Sequence, residues 1–334
     1  MNLKRLRIPL IVISSLVIVY LLGPRPAAPV YTYELPVVPP AGQALDNYIA
    51  QKESQHRLKP DNEARIVWHD SSFHKTPYAV VYLHGFSASQ EEGNPVHRNF
   101  ARRFGCNLYL SRLDGHGIDT TAPLQEMTAT GLWRDAMEAL SIGKALGDKV
   151  ILMGTSTGGT LALKLAAAFP DDVYAIINMS PNIAINDKLA FLANDPWGLQ
   201  LARLVNKGNF RRSNDTNRVT AQYWSNSYRL EAVVQLENLL ESTMTPATFK
   251  AVHQPVLNLY YYKDEQHQDP TVRVSAILKM EKELSTPDSL KAAIAIPGAG
   301  AHVIGSALTS HDLPAVTKAI DDFAIHKLKM KPLY

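Results

Sequence analysis

The sequence holds a single cysteine, Cys106, so no disulfide can close within it and no thiolate cluster can hold zinc or an iron–sulfur centre. Charge is also scarce. Only 19% of the 334 residues are charged, and 34 Lys plus Arg stand against 31 Asp plus Glu. A formal charge of +3 cannot build the dense basic stripe that grips a phosphate backbone, which excludes nucleic acid as a partner. There is no internal repeat and no low-complexity tract. What remains is 46% hydrophobic, enough for a sizeable core and too much for a disordered chain. The length suits one large α/β domain with something added.

At the N-terminus, Lys4, Arg5 and Arg7 precede a run from Ile8 to Leu22 that is almost wholly apolar. A basic flank before a greasy stretch reads as an export signal. At ~1.5 Å per residue the run reaches ~22 Å, short of a ~30 Å hydrocarbon core, which suits a cleaved signal peptide. Gly23-Pro-Arg-Pro-Ala-Ala-Pro29 offers no clean cleavage site, which suits an uncleaved signal anchor over residues 1–23. The expectation is a transmembrane anchor with the folded domain on the exported side, and a secreted protein if the signal is cleaved. Prolines 24, 26, 29, 36, 39 and 40 forbid regular helix and point to an extended tether, with a short helix from about 43 to 55 completing a linker over 24–60.

From residue 61 onward, short β-branched or apolar runs alternate with helix-length segments. The runs are Arg65–His69, Tyr78–Leu83, Asn107–Ser111, Lys149–Met153, Val173–Met179, Val256–Tyr261 and Ala292–Ile296. This alternation predicts an α/β fold with a mostly parallel sheet covered on both faces. It fails between Ser180 and Pro255, where apolar residues keep helical spacing without a convincing strand, so a helical insertion is expected over about 182–253. Its aromatics (Phe191, Trp197, Phe210, Tyr223, Trp224 and Tyr228) read first as the small core of that insertion and second as the wall of a substrate cleft.

The strongest chemical signal is Gly154-Thr-Ser156-Thr-Gly158-Gly, set between a strand and a helix. A serine on so sharp a turn presents its hydroxyl at the sheet edge, and glycine is needed two residues either side because side chains there would strike the strand and helix. The bland alternative is an ordinary glycine-rich turn. Near neutral pH the hydroxyl needs a base and a carboxylate to orient that base. Catalytic groups gather at the carboxyl ends of parallel strands, so the late loops are the places to look. One carries Asp264 and Asp269, the other His302, with His311 as a substitute. Asp264 directly follows its strand and is the preferred acid, whereas Asp269 before Pro270 reads as a cap. The amides of Phe86 and Thr157 are the candidate oxyanion donors. His84 is expected to shape its loop. No histidine pair at helical spacing suggests a metal site, and no cofactor is called for.

With His84-Gly-Phe86, Arg112-Leu-Asp-Gly-His-Gly117, Gly154-Thr-Ser-Thr-Gly-Gly159, Asp264 and His302, the chain resembles the α/β-hydrolases, and within them the lysophospholipase, monoacylglycerol lipase and carboxylesterase-like group, over roughly residues 64–325. The resemblance implies a mostly parallel eight-stranded sheet, a helical cap inserted after the sixth strand, and hydrolysis of a small-molecule acyl ester through an acyl-enzyme. It also implies that Asp114–Gly117 borders the site in a structural role. A peptidase or amidase, an acyltransferase, and a non-catalytic binding protein on the same fold are the rival readings.

Overall fold

The computed structural model describes residues 3–213 and 215–334. Seven strands form one sheet: β1 (Arg65–Val67), β2 (Thr76–Leu83), β3 (Asn107–Leu110), β4 (Gly147–Thr155), β5 (Ala175–Met179), and, past a separate two-stranded hairpin of β6 (Phe210–Arg212) and β7 (Ser227–Arg229), β8 (Val256–Tyr260) and β9 (Lys291–Ala295). Their order is β1-β3-β2-β4-β5-β8-β9, and every pairing is parallel except that of β1 with β3. The seven apolar runs are these seven strands. The eighth, expected from the family resemblance alone, is absent among the described residues, because the chain ahead of β1 folds as helix and extended coil.

Eleven α-helices accompany the strands among the described residues: α1 (Leu3–Leu21), α2 (Gln43–Glu53), α3 (Val96–Arg103), α4 (Ala129–Leu146), α5 (Thr157–Ala168), α6 (Gly198–Val205), α7 (Arg218–Tyr223), α8 (Leu230–Thr243), α9 (Pro246–Lys250), α10 (Val274–Glu283) and α11 (Leu313–His326). Parallel strands buried on both faces alternate between two cores. In β2, Ala79, Val81 and Leu83 join the core under α4, α5, α9 and α10, while Val80 and Tyr82 join the one under α3 and α11. Fully burying a Val or Leu side chain contributes about 1.5–3 kcal/mol. Cys106 lies in the α3–α11 core, where burial pushes its thiol up to about 12.

Two expectations about the chain before the sheet are corrected. Among the described residues, no helix is long and apolar enough to cross a membrane. The 19 residues of α1 include the basic flank, and the apolar remainder reaches only ~22 Å. The transmembrane anchor is therefore withdrawn, and with it the membrane partner and the exported-side placement that rested on it; Met1 and Asn2 lie outside the described residues. Residues 24–40 are extended, as their prolines require, yet they lie strapped to the domain. The Trp133 indole donates to the Thr32 carbonyl (2.7 Å), the Val30 amide to Thr130 Oγ1 (2.9 Å), and Asn238 Nδ2 to the Ala27 carbonyl (2.9 Å). Tyr31 and Trp133 also hold the Lys164 ammonium 3.9 and 4.7 Å from their ring centroids.

The segment between β5 and β8 divides by packing. Leu239, Phe249 and Val252, in and after α8 and α9, are buried in the main core and cover the sheet. The stretch from Asn182 to Arg229 is largely half-exposed and carries the short hairpin.

Candidate functional site

Parallel register brings the carboxyl ends of β2, β4, β5, β8 and β9 to one edge: Leu83 pairs with Gly154, Thr155 with Met179, Met179 with Leu259, and Tyr260 with Ala295. Every residue singled out in the sequence as chemical follows one of these ends. Ser156 sits on the turn from β4 into α5 with φ 52° and ψ −117°, a conformation costly for any residue with a Cβ. The turn is possible because of its glycines. A Cβ on Gly158 would run into the Leu83 carbonyl, and one on Gly154 would lie 2.5 Å from the Gly158 carbonyl carbon. The Ser156 amide donates to the Met179 carbonyl (3.1 Å), and the Ser156 carbonyl accepts from the amides of Gly159 and Asn182 (both 2.9 Å). The residue is 5% exposed.

His302 lies in the loop after β9, and the carboxylate it meets is Asp269. Its Nδ1 donates to Asp269 Oδ2 at 2.7 Å. Asp264, the acid preferred from sequence, is turned outward and pairs with the exposed His267 (2.8 Å) three residues away. The physical reason is the turn that follows β8. The Asp269 amide returns to the Tyr261 carbonyl (3.0 Å), which leads the loop back toward the sheet edge before the carboxylate is placed. Asp269 is fully buried, and its other oxygen accepts the amides of Thr271 (2.8 Å) and Val272 (3.0 Å). Burial alone would raise its pKa, but the His302 charge and these hydrogen bonds hold it below the ordinary carboxylate value. For His302, burial pulls downward while the Asp269 charge and hydrogen bond outweigh it, so the imidazole is more basic than usual, with a smaller contribution from Glu92. Its Nδ1–H is fixed by the carboxylate, which leaves Nε2 as the proton-accepting nitrogen. His311 lies beside Gly300, its amide donating to the Ala299 carbonyl at 3.0 Å.

Two buried histidines stitch the neighbouring loops. His84 Nδ1–H donates to the Gly85 carbonyl (2.8 Å) and its Nε2 accepts the Leu113 amide (3.1 Å). His116 Nδ1–H donates to the Asp114 carbonyl (2.8 Å) and its Nε2 accepts the Ser87 amide (3.0 Å). Burial keeps both neutral, His84 well below its usual value and His116 down at about 4, so each holds a tautomer instead of exchanging protons. Among the described residues, the amides of Phe86 and Thr157 have no acceptor. Thr157 is the first residue of α5, where an amide lacks an intrahelical partner and the helix dipole favours negative charge.

The site also contains residues that sequence reasoning did not single out. Tyr228, read there only within the general set of insertion aromatics, packs edge-on against Phe86 with centroids 5.0 Å apart. The Ser225 amide donates to the Ser87 carbonyl at 2.7 Å, so the insertion is fastened directly to the loop after β2. Glu92 is buried beside Gly85 and Ser156. Its only sequence signal was an acidic pair in a short turn, which reads as solvated surface.

Comparisons with known proteins bear on the fold. The model of the alpha/beta hydrolase fold family matches residues 78–282. Among curated proteins, none matches the chain. Similar solved structures include one from work on LipS and LipT, two metagenome-derived lipolytic enzymes, at 18% identity and TM-score 0.64 over 80% of this chain and 98% of that one. A soluble variant of monoglyceride lipase from Saccharomyces cerevisiae aligns at 14% identity and TM-score 0.59, covering 80% and 92%. Est1E from Butyrivibrio proteoclasticus, bound to ferulic acid, aligns at 18% identity and TM-score 0.56, covering 80% and 95%.

Proposed function

The chain belongs to the α/β-hydrolase family, and on that premise we propose that it is a serine hydrolase cleaving carboxylic esters through an acyl-enzyme. The observation that carries the reading is the buried Asp269–His302 hydrogen bond at the same sheet edge as a serine strained onto a strand-to-helix turn. In the proposed reaction Ser156 Oγ attacks the ester carbonyl while its proton passes to His302 Nε2. Asp269 holds the imidazole and stabilises the imidazolium. The amides of Phe86 and Thr157 receive the charge that develops on the carbonyl oxygen. His302 then gives its proton to the leaving alcohol, takes one from the water that attacks the acyl carbonyl, and returns it to Ser156 Oγ as the acyl–oxygen bond breaks and the acid leaves. Asp269 replaces Asp264 as the proposed acid.

The names of the similar structures suggest the substrates to test: monoacylglycerols and feruloyl esters alongside nitrophenyl esters of increasing chain length. The deciding experiment is turnover of these esters by the wild type and by Ser156→Ala, with fluorophosphonate labelling of both. The expected result is a fall of at least a thousandfold in kcat and loss of label in the variant. Undiminished ester hydrolysis by Ser156→Ala would overturn the reading.

A further inference from the structure

The reaction above leaves one buried carboxyl unused. Glu92 lies in the short turn Gln90–Gly93 between β2 and α3 and is 2% exposed. Its Oε2 accepts the amide of Gly85, the residue before Phe86. A methyl group built on Gly85 would lie 2.8 and 2.9 Å from the two Glu92 oxygens and 2.9 Å from Ser156 Cβ. Carboxyl and serine therefore border the same atom-sized gap, which only glycine leaves open.

The one opposing charge that reaches Glu92 among the described residues is that of His302. Glu92 forms no ion pair with Lys or Arg among the described residues. The Tyr82 phenol faces it from β2, held in its neutral form by burial with Glu92 adding to the effect. The neutral His84 flanks Gly85, and on α3 His97 is kept uncharged, down at about 3, by its burial. From its own turn, Glu91 is held by Asn94 Nδ2 at 3.0 Å. From the loop after β9, His302 feels Glu92 but is already bonded to Asp269.

We propose that Glu92 is a positioning residue that works as an uncharged carboxylic acid, fixing the Gly85–Phe86 loop for oxyanion binding, and that its ionisation turns the enzyme down. This rests on the reading of Ser156 as nucleophile. The logic is electrostatic: a second negative charge bordering the serine opposes the oxyanion forming there, whereas a neutral acid still accepts the Gly85 amide. Burial pushes Glu92 up to about 8 against the pull of the Gly85 amide and His302, so the neutral form is the one present at pH 7.

The test is the pH dependence of kcat and KM for a nitrophenyl ester in the wild type, Glu92→Gln and Glu92→Ala. The wild type should lose about 30-fold in kcat/KM between pH 7 and 9.5, as a group titrating near 8 requires. Glu92→Gln should lack this alkaline limb. Glu92→Ala should lose at least tenfold in kcat at pH 7 with KM little changed, and Gln should recover most of that loss. Lys164, also pulled to about 8 by burial, sits among Tyr31, Tyr33 and Trp133, and a limb arising there would persist in Glu92→Gln. A limb that survives in Glu92→Gln overturns the proposal. A second measurement needs no variant: fluorophosphonate capture by the wild type should slow along the same limb, and capture that stays flat to pH 9.5 also overturns it. If instead Ser156→Ala still turns over ester, it is the nucleophile reading that fails.

Discussion

Asp269 gives one oxygen to its own loop and the other to the imidazole, so it is both cap and partner. On the proposed mechanism, Asp269→Asn should lower kcat by about 10³–10⁴ because the amide cannot hold the required tautomer, while Asp264→Asn should stay within about twofold. Steady-state hydrolysis of one ester by both variants checks this. His302 must be unprotonated to act as a base, and its pKa is raised, so kcat/KM should climb with pH to a midpoint above 6.5, which Asp269→Asn should move downward. A titration of kcat/KM from pH 5 to 8 measures it. At this scale the proposed serine and histidine could be nominated from the sequence because glycine spacing and position after a strand constrain them locally. The acid was not. Choosing between Asp264 and Asp269 depends on how the chain doubles back after Tyr261, a long-range hydrogen bond with no mark in the sequence.

Among the elements, the turn from β4 into α5 has no room for a Cβ at Gly158. Gly158→Ala would force the Leu83 carbonyl, itself part of β2, out of register, and the expected result is loss of soluble folded protein, read by expression and circular dichroism. The proline-rich strap gives a graded contrast. Removal of residues 1–23 should leave the thermal midpoint nearly unchanged, whereas removal of 1–40 should lower it by several degrees, because Trp133 then loses the Thr32 carbonyl and the cover of Tyr31 and Tyr33. Calorimetry of the two truncations tests this. Sequence reading found every strand of the main sheet, since strands buried on both faces appear as continuous apolar runs. It missed β6 and β7, which are three residues each, only partly buried and rich in arginine. It also treated residues 24–40 as a free tether, since a proline-rich stretch looks the same whether solvated or docked.

For the whole molecule, buried titratable groups set the acid–base limits of folding. Burial raises the carboxyls of Glu92, Glu237 and Asp135 to about 8, 7 and 6, so the folded state retains protons that the unfolded chain releases above its ordinary values, and stability falls as pH rises through that window. His84, His97 and His116 act in the opposite sense: burial lowers them, so the unfolded chain binds protons below 6.5 and stability falls as pH drops. The thermal midpoint should therefore pass through a broad maximum near about pH 6 and decline toward pH 8, a profile that differential scanning calorimetry can trace. Cys106 makes the same equilibrium visible without a label. Sealed in the α3–α11 core with its thiol pushed up to about 12, it can meet a disulfide reagent only when that core opens. One thiol per chain then serves as a native clock, each reagent molecule consumed recording a single excursion from the closed state.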